Sequence, residues 1–85
     1  MKWRILIKKE ELDSFVKKYG EQTFERVRRQ LAKLKNGPFE LPYKKLKGEE
    51  SLYRIRVGEF RIIFTYFPER KLILVLRIRK RKDAY

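Results

Sequence analysis

The spacing of hydrophobic positions changes along this chain, and the change predicts where strands give way to helices. Over residues 2–7 apolar and polar residues alternate, which predicts a β-strand. From residue 12 to residue 19 apolar side chains recur at i, i+3, i+4 and i+7, which predicts an amphipathic helix ended by Gly20. A second helix is predicted from about Gln22 to Lys35, and the Asn36-Gly37-Pro38 sequence predicts its end.

The C-terminal half has the alternation and turn residues of strands. Residues 38–50 contain two prolines and are predicted to form a loop. Three strands then follow, over residues 52–57, 60–67 and 72–78. Gly58-Glu59 is predicted to be the two-residue turn of a hairpin that joins the first two.

The predicted order is therefore one N-terminal strand, two helices and a three-stranded antiparallel meander. Segregation of this kind is typical of an α+β fold in which the helices pack on one face of the sheet. A chain of 85 residues buries only one small core. Residues 1–85 are therefore predicted to form a single domain.

The register of the meander predicts where its arginines lie. A turn at Gly58-Glu59 places Arg56 opposite Arg61, and it places Ile55 opposite Ile62 on the other face. The apolar face is predicted to lie under the helices. The opposite face is then predicted to carry five arginines, namely Arg54, Arg56, Arg61, Arg77 and Arg79.

The last strand has two alternating sets of side chains, and only one register keeps its arginines out of the core. That register places Arg61 opposite Arg79 and requires an odd number of residues in the connection that begins at Pro68. In it Leu72, Leu74, Leu76 and Ile78 share one face. Ile73 and Val75 share the other face with the arginines.

Charge points to the kind of partner. The chain has 24 Lys and Arg against 11 Asp and Glu, a net charge of +13. Like charges opposite one another destabilise a sheet, so a cluster of arginines is not explained by folding. A solvated face is one interpretation, and a phosphate-binding surface for nucleic acid is the favoured one. The basic run over residues 77–82 extends the same strand.

Several classes of protein are not expected. The chain has no cysteine and no histidine, so we expect no disulfide, no metal site and no cofactor. No window approaches the roughly 20 apolar residues of a membrane span. The N-terminal residues do not have the pattern of a signal peptide, so the expected location is the cytoplasm.

Three segments carry a resemblance to a known family. These are the Lys45-Leu46-Lys47-Gly48 sequence, the hairpin over residues 52–64 (LYRIRVGEFRIIF), and Val75-Leu76-Arg77 with the basic run that ends in Tyr85. Together they resemble the RelE/ParE toxin superfamily, and most of all its archaeal RelE-like members.

The resemblance implies a toxin of a type II toxin–antitoxin pair. Members of the RelE branch enter the ribosomal A site and cleave messenger RNA without a metal, with the 2′-hydroxyl as nucleophile. The implied partners are a cognate RelB-like antitoxin, in a hetero-oligomer, together with messenger RNA and ribosomal RNA. No membrane is implied.

The resemblance also implies site residues. The implied catalytic set is Arg54, Arg56, Arg61, Arg79 and Tyr85. The implied RNA-binding set is Lys45, Lys47, Arg77, Lys80, Arg81 and Lys82. The best-studied bacterial members have lysines on the second strand where this chain has Arg54 and Arg56, and arginine cannot act as a general base. The candidates for proton transfer are Lys80, Tyr85 and Glu59.

Two other functions stay open. The ParE branch has the same fold and poisons DNA gyrase. A domain of this shape and charge could also bind RNA or DNA without cutting it.

Overall fold

A computed structural model describes residues 2–39, 41, 43–46 and 52–80 of the chain. The strands are β1 (Arg4–Ile7), β2 (Tyr43–Lys45), β3 (Tyr53–Val57), β4 (Phe60–Phe67) and β5 (Leu72–Lys80). The helices are α1 (Lys9–Tyr19) and α2 (Glu21–Leu31), with 3₁₀ turns at Ala32–Asn36 and Pro68–Arg70.

The two helices form where the sequence predicts them. Acidic residues lie in the first turn of α1 and basic residues in its last turn, which suits the helix dipole. Gly20 follows with a φ of 91°, a conformation that glycine adopts at little cost. The helix predicted to run to Lys35 is α2 followed by the 3₁₀ turn, so its extent is confirmed while its last part is more tightly wound.

The strands form one mixed sheet in the order β1-β5-β4-β3-β2. β1 runs parallel to β5, and every other pair is antiparallel. The α+β class and the β3–β4–β5 meander are confirmed. The predicted sheet lacked one strand, because residues 38–50 were expected to be a loop and contain the edge strand β2.

β2 forms through contacts that the sequence of its three residues does not predict. Its pairing places Lys44 opposite Arg54 on β3. The ring centroid of Tyr43 lies 4.5 Å from that of Phe39 and 6.0 Å from that of Tyr53. A strand this short shows no alternation to detect, so its position depends on β3 and on these aromatic contacts.

Helix and sheet residues share one core. Phe15, Val27, Leu31 and Leu34 come from the helical half of the chain. They cluster with Ile55, Val57, Phe60, Ile62, Phe64, Ile73, Val75 and Ile78 of the sheet. The apolar face of the hairpin therefore lies under the helices, as predicted, and its arginines lie on the opposite face.

A β-bulge on β5 corrects the predicted register of its first half. Ile63 pairs with Arg77 but Phe64 pairs with Val75, so Leu76 has no partner on β4. Ile73 and Val75 were expected on the arginine side, and both are wholly buried in the core. The expected odd-numbered connection was also wrong, because four residues join Phe67 to Leu72 and the bulge supplies the shift.

Candidate nucleic-acid interface

The sheet face opposite the helices has an arginine end and an apolar end. At one end Arg61 on β4 lies between Arg56 on β3 and Arg79 on β5. Next to this row Arg54 and Arg77 flank Ile63. We call these five arginines the arginine face. Their predicted register is confirmed.

The other end of the same sheet face has no arginine on β4 or β5. Thr65 pairs with Leu74, and Phe67 pairs with Leu72. The bulge separates this apolar end from the arginine face. Positive charge on β4 and β5 is therefore concentrated near the Gly58-Glu59 turn, while Arg4 on β1 and Arg70 in the connection lie at the opposite end of the strands.

The five arginines differ in how deeply they lie. Arg61 is only 7% exposed and is the one charged side chain classed as buried among residues the structure describes. Arg56 and Arg77 are exposed, while Arg54 and Arg79 are half-buried. A buried guanidinium at the centre with exposed ones beside it can hold a phosphate in a fixed place, because arginine offers two parallel hydrogen bonds to it.

A shallow depression continues the arginine face to the edge of the sheet. Its volume is about 380 Å³, and Tyr43, Lys44, Arg54 and Arg56 line it. Its size and charge suit a nucleotide phosphate at the border of the sheet. Lys44 pairs with Arg54, so its place beside the arginine face depends on the unpredicted strand β2.

Two of the predicted RNA-binding lysines lie away from the arginine face. Lys45 pairs with Tyr53, and Lys80 pairs with Phe60, so the register places both on the helix side of the sheet. The Lys80 ammonium lies 3.7 Å from a carboxylate oxygen of Glu59. The remaining predicted site residues lie outside the described residues, namely Lys47, Arg81, Lys82 and Tyr85.

An acidic residue among those the structure describes contacts the arginine face, and the sequence pattern gave no sign of it. Glu11, in the first turn of α1, accepts a hydrogen bond of 2.5 Å from Nη1 of Arg79 and one of 3.1 Å from the backbone N–H of Ile78. Only Glu59 was expected near the arginines. The contact joins residues 68 positions apart, and helical periodicity carries no information at that range.

The contacts of Glu11 change its acidity. Burial by itself raises the pKa of the Glu11 carboxyl. Hydrogen bonds from Arg79 and from the Ile78 N–H, with the positive charges of Arg79 and Arg77, outweigh burial and hold that pKa below its usual value. Glu11 therefore stays ionised in the folded protein at a lower pH than in the unfolded chain.

We expect stability to fall more steeply with acid in the wild-type protein than in Glu11→Gln. The unfolded pKa is about 4.3 and the folded pKa is lower, so the carboxylate stabilises the fold above the unfolded value. That stabilisation is lost as the pH falls through the folded pKa. Urea unfolding between about pH 6 and pH 3 measures the difference. Glu10→Gln, at an exposed neighbour, is the control, and equal acid dependence in all three proteins would contradict the prediction.

The described residues hold neither a metal cluster nor a long apolar helix. Within them, no group of three acidic side chains is placed to hold a metal ion. None of the helices there is long and apolar enough to cross a membrane.

A family model matches residues 8–85 of the chain. It describes the ParE toxin of type II toxin-antitoxin system, parDE. A curated protein of Methanocaldococcus jannaschii named "Putative toxin RelE1" is 36% identical over 42 residues. That match covers 49% of this chain and 47% of the relative, so it spans about half the length of each.

Two solved archaeal structures are similar over nearly the whole chain. One is the RelE-RelB complex from Pyrococcus horikoshii, with 25% identity and a TM-score of 0.76 over 99% of this chain and 100% of that chain. The other is the RelB-RelE antitoxin-toxin complex from Methanococcus jannaschii, with 26% identity and a TM-score of 0.69 over 94% of each chain.

Proposed function

This chain belongs to the ParE toxin family of type II toxin–antitoxin systems, and on that basis we propose that it is a RelE-type endoribonuclease that cuts messenger RNA on the ribosome. The arginine face is the observation that carries the proposal. The similarity to archaeal RelE chains, at 25% and 26% identity, supports the RelE branch.

The proposed reaction is attack by a 2′-hydroxyl on the neighbouring phosphorus. The bond from phosphorus to the 5′-oxygen breaks, and a 2′,3′-cyclic phosphate and a 5′-hydroxyl are formed. In this scheme Arg61, Arg56 and Arg79 bind the phosphate and stabilise the charge that develops on it. This row suits that role because it is fixed by strand pairing before RNA arrives.

Proton transfer needs other groups, since a guanidinium does not give up its proton at neutral pH. A base must remove the proton of the 2′-hydroxyl and an acid must supply one to the leaving 5′-oxygen. We propose Tyr85 and Lys80 for these steps, with Glu59 as the remaining candidate. Lys80 lies 3.7 Å from Glu59 at the same end of the sheet as the arginine face but on the helix side, so its ammonium must reach around the end of the strand to meet the phosphate.

The proposed partners follow from charge and family. A chain with a net charge of +13 suits the phosphates of messenger RNA and ribosomal RNA. A RelB-like antitoxin in a hetero-oligomer is the other proposed partner, and the similar archaeal chains were solved in such complexes. The proposed location is the cytoplasm, where translating ribosomes are found.

The proposal is tested by primer extension on a messenger in a reconstituted translation reaction. We expect cuts in the messenger only when ribosomes are translating it. The same messenger without ribosomes is the control. Cuts of equal strength in free RNA, or none with ribosomes, would contradict the proposal.

A second candidate function has support from the family model, whose description is of a ParE toxin. A ParE-type protein is expected to inhibit DNA gyrase. Supercoiling of a relaxed plasmid by purified gyrase, with and without the protein, separates the two candidates. Loss of supercoiling with no cut messenger would favour the gyrase inhibitor. Salt-sensitive RNA binding with neither effect would favour a non-catalytic binding domain.

Arg56→Ala is expected to weaken the salt dependence of RNA binding. Each single-stranded phosphate that a protein neutralises adds about −0.7 to the slope of log K against log salt. Arg56 is exposed on the arginine face, so its loss should reduce the slope by about 0.7. Filter binding of a single-stranded RNA over a salt series measures this. Arg70→Ala removes the same charge at the other end of the sheet and should leave the slope unchanged, and an equal change in both variants would contradict the prediction.

A further inference from the structure

Glu11 connects helix α1 to the strand that carries two arginines of the arginine face. Its Oε1 accepts hydrogen bonds from Nη1 of Arg79, at 2.5 Å, and from the N–H of Ile78, at 3.1 Å. Its Oε2 lies 3.5 Å from Nη2 of Arg79. The Glu11 side chain is only 17% exposed, so the pair is partly shielded from water.

The place of Glu11 is set by the end of β1. The parallel pairing of β1 with β5 stops at Ile7 and Val75, and the next backbone bond is donated by Lys8 to the carbonyl of Val75. Beyond that point none of the described strands lies beside the outer edge of β5. The Glu11 carboxylate accepts from the Ile78 N–H, as the carbonyl of a neighbouring strand would.

The same carboxylate fixes the position of the Arg79 guanidinium. Nη1 of Arg79 also donates to the carbonyl of Ile78, at 3.0 Å. These contacts hold one side of a rigid planar group that has five N–H donors, so donors remain for a phosphate. A free arginine side chain loses about 2 kcal/mol of rotamer entropy when it is held, and an arginine already held loses less on binding.

We infer that Glu11 is a positioning residue that holds Arg79 in the orientation in which it meets RNA phosphate. The inference rests on the proposed function. It concerns a residue outside the sheet, which reaches the arginine face only through Arg79 and the backbone of β5. An opposite role, in which Glu11 occupies Arg79 and keeps phosphate away, predicts that removing Glu11 strengthens RNA binding.

A double-mutant cycle tests the inference. The four proteins are the wild type, Glu11→Ala, Arg79→Ala and the double variant, and the measurement is the rate and KM of messenger cleavage on programmed ribosomes. We expect Glu11→Ala to lower the cleavage rate by about 10-fold or more. In the Arg79→Ala background the same change should have little further effect.

Two further variants separate positioning from charge and from stability. Glu10→Ala removes the same charge from the same helical turn, and Glu10 is exposed, so it should cleave as the wild type does. Glu11→Gln keeps an oxygen that can accept from the Ile78 N–H but loses the charged pair with Arg79. At neutral pH it should be less stable than the wild type, because it lacks the stabilising carboxylate, but it should remain folded at the assay temperature. A lower rate in the folded variant then reports positioning, and this variant replaces Glu11→Ala if that one does not fold.

Three results would overturn the inference: normal cleavage by both Glu11 variants, an equal loss in the presence and absence of Arg79, or a gain in RNA affinity greater than that of Glu10→Ala. Binding of single-stranded RNA is measured on the same four proteins and on Glu10→Ala. The coupling between positions 11 and 79 is therefore decided even if the wild type cuts no messenger. That last outcome would remove the proposed ribonuclease and leave coupled binding as the test of Glu11.

Discussion

Arg61→Ala is expected to lower the rate of ribosome-dependent messenger cleavage by about 100- to 1000-fold. Removing one preorganised group that stabilises developing charge costs about 2.7–4 kcal/mol in comparable sites. Arg61 occupies the middle of the arginine face and is 7% exposed, so water screens its charge less than it screens the charges of its neighbours. Single-turnover primer extension on programmed ribosomes measures the rate.

The matched controls for Arg61 separate its charge from its hydrogen-bonding shape. Arg61→Lys keeps the charge but not the planar fork, so an intermediate rate is expected. Arg70→Ala removes an exposed arginine at the other end of the sheet and should cleave at the wild-type rate. Cleavage by Arg61→Ala within about 3-fold of the wild type would contradict a role in charge stabilisation.

Stability should change little in Arg61→Ala, although the residue is buried. The register places Arg61 opposite Arg56 on one strand and opposite Arg79 on the other. Loss of the aliphatic stem destabilises the sheet, while relief of repulsion between like charges stabilises it. We therefore expect the free energy of unfolding to stay within about 1 kcal/mol of the wild-type value.

The hairpin could be predicted from sequence because everything that fixes it is local. Gly58, with a φ of 58°, and Glu59 form the turn, and the alternation on each side sets the faces. One residue of slip would place arginines in the core, so the pattern has a single acceptable register. The pairing of Arg56 with Arg61 follows at once.

The rest of the sheet could not be predicted in the same way. The bulge at Leu76 is invisible to alternation, because Leu, Ile and Val fill both faces of β5 before it. Its effect is to turn Ile73 and Val75 into the core while Arg77 stays outside. A strand segment with apolar residues on both faces carries no polar residue to mark its register, so only the pairing with β4 reveals the bulge.

Only part of the candidate site could be predicted from the sequence. The arginine face follows from the hairpin and from the need to keep Arg77 and Arg79 out of the core. Glu11 was missed because it reaches the face through tertiary structure, from α1. The position of Lys44 beside Arg54 could not be predicted either, because it depends on the edge strand β2. The charge pattern of a sequence shows how many charged residues there are, but it does not show where they lie in the fold.

Phe64→Ala is expected to destabilise the protein by about 3–5 kcal/mol. Phe64 is 0% exposed, and its ring lies 5.8 Å from that of Tyr53, to which it is paired across β3 and β4. At 0.05–0.15 kcal/mol per residue, a domain of this length has a total stability of roughly 4–13 kcal/mol. The variant should therefore lose a large fraction of the total stability. Urea unfolding measures it, with the fluorescence of Trp3 as the signal.

Phe67→Ala is the matched control, because Phe67 lies on the same strand but is 43% exposed. It should cost less than about 1 kcal/mol. A loss below about 1 kcal/mol in Phe64→Ala would contradict the register of β4, since an inward Phe64 and an outward Arg61 follow from the same pairing. Together with Arg61→Ala the result separates fold from chemistry. Cleavage by Phe64→Ala should fall only as its folded fraction falls, whereas Arg61→Ala should lose cleavage while it remains folded.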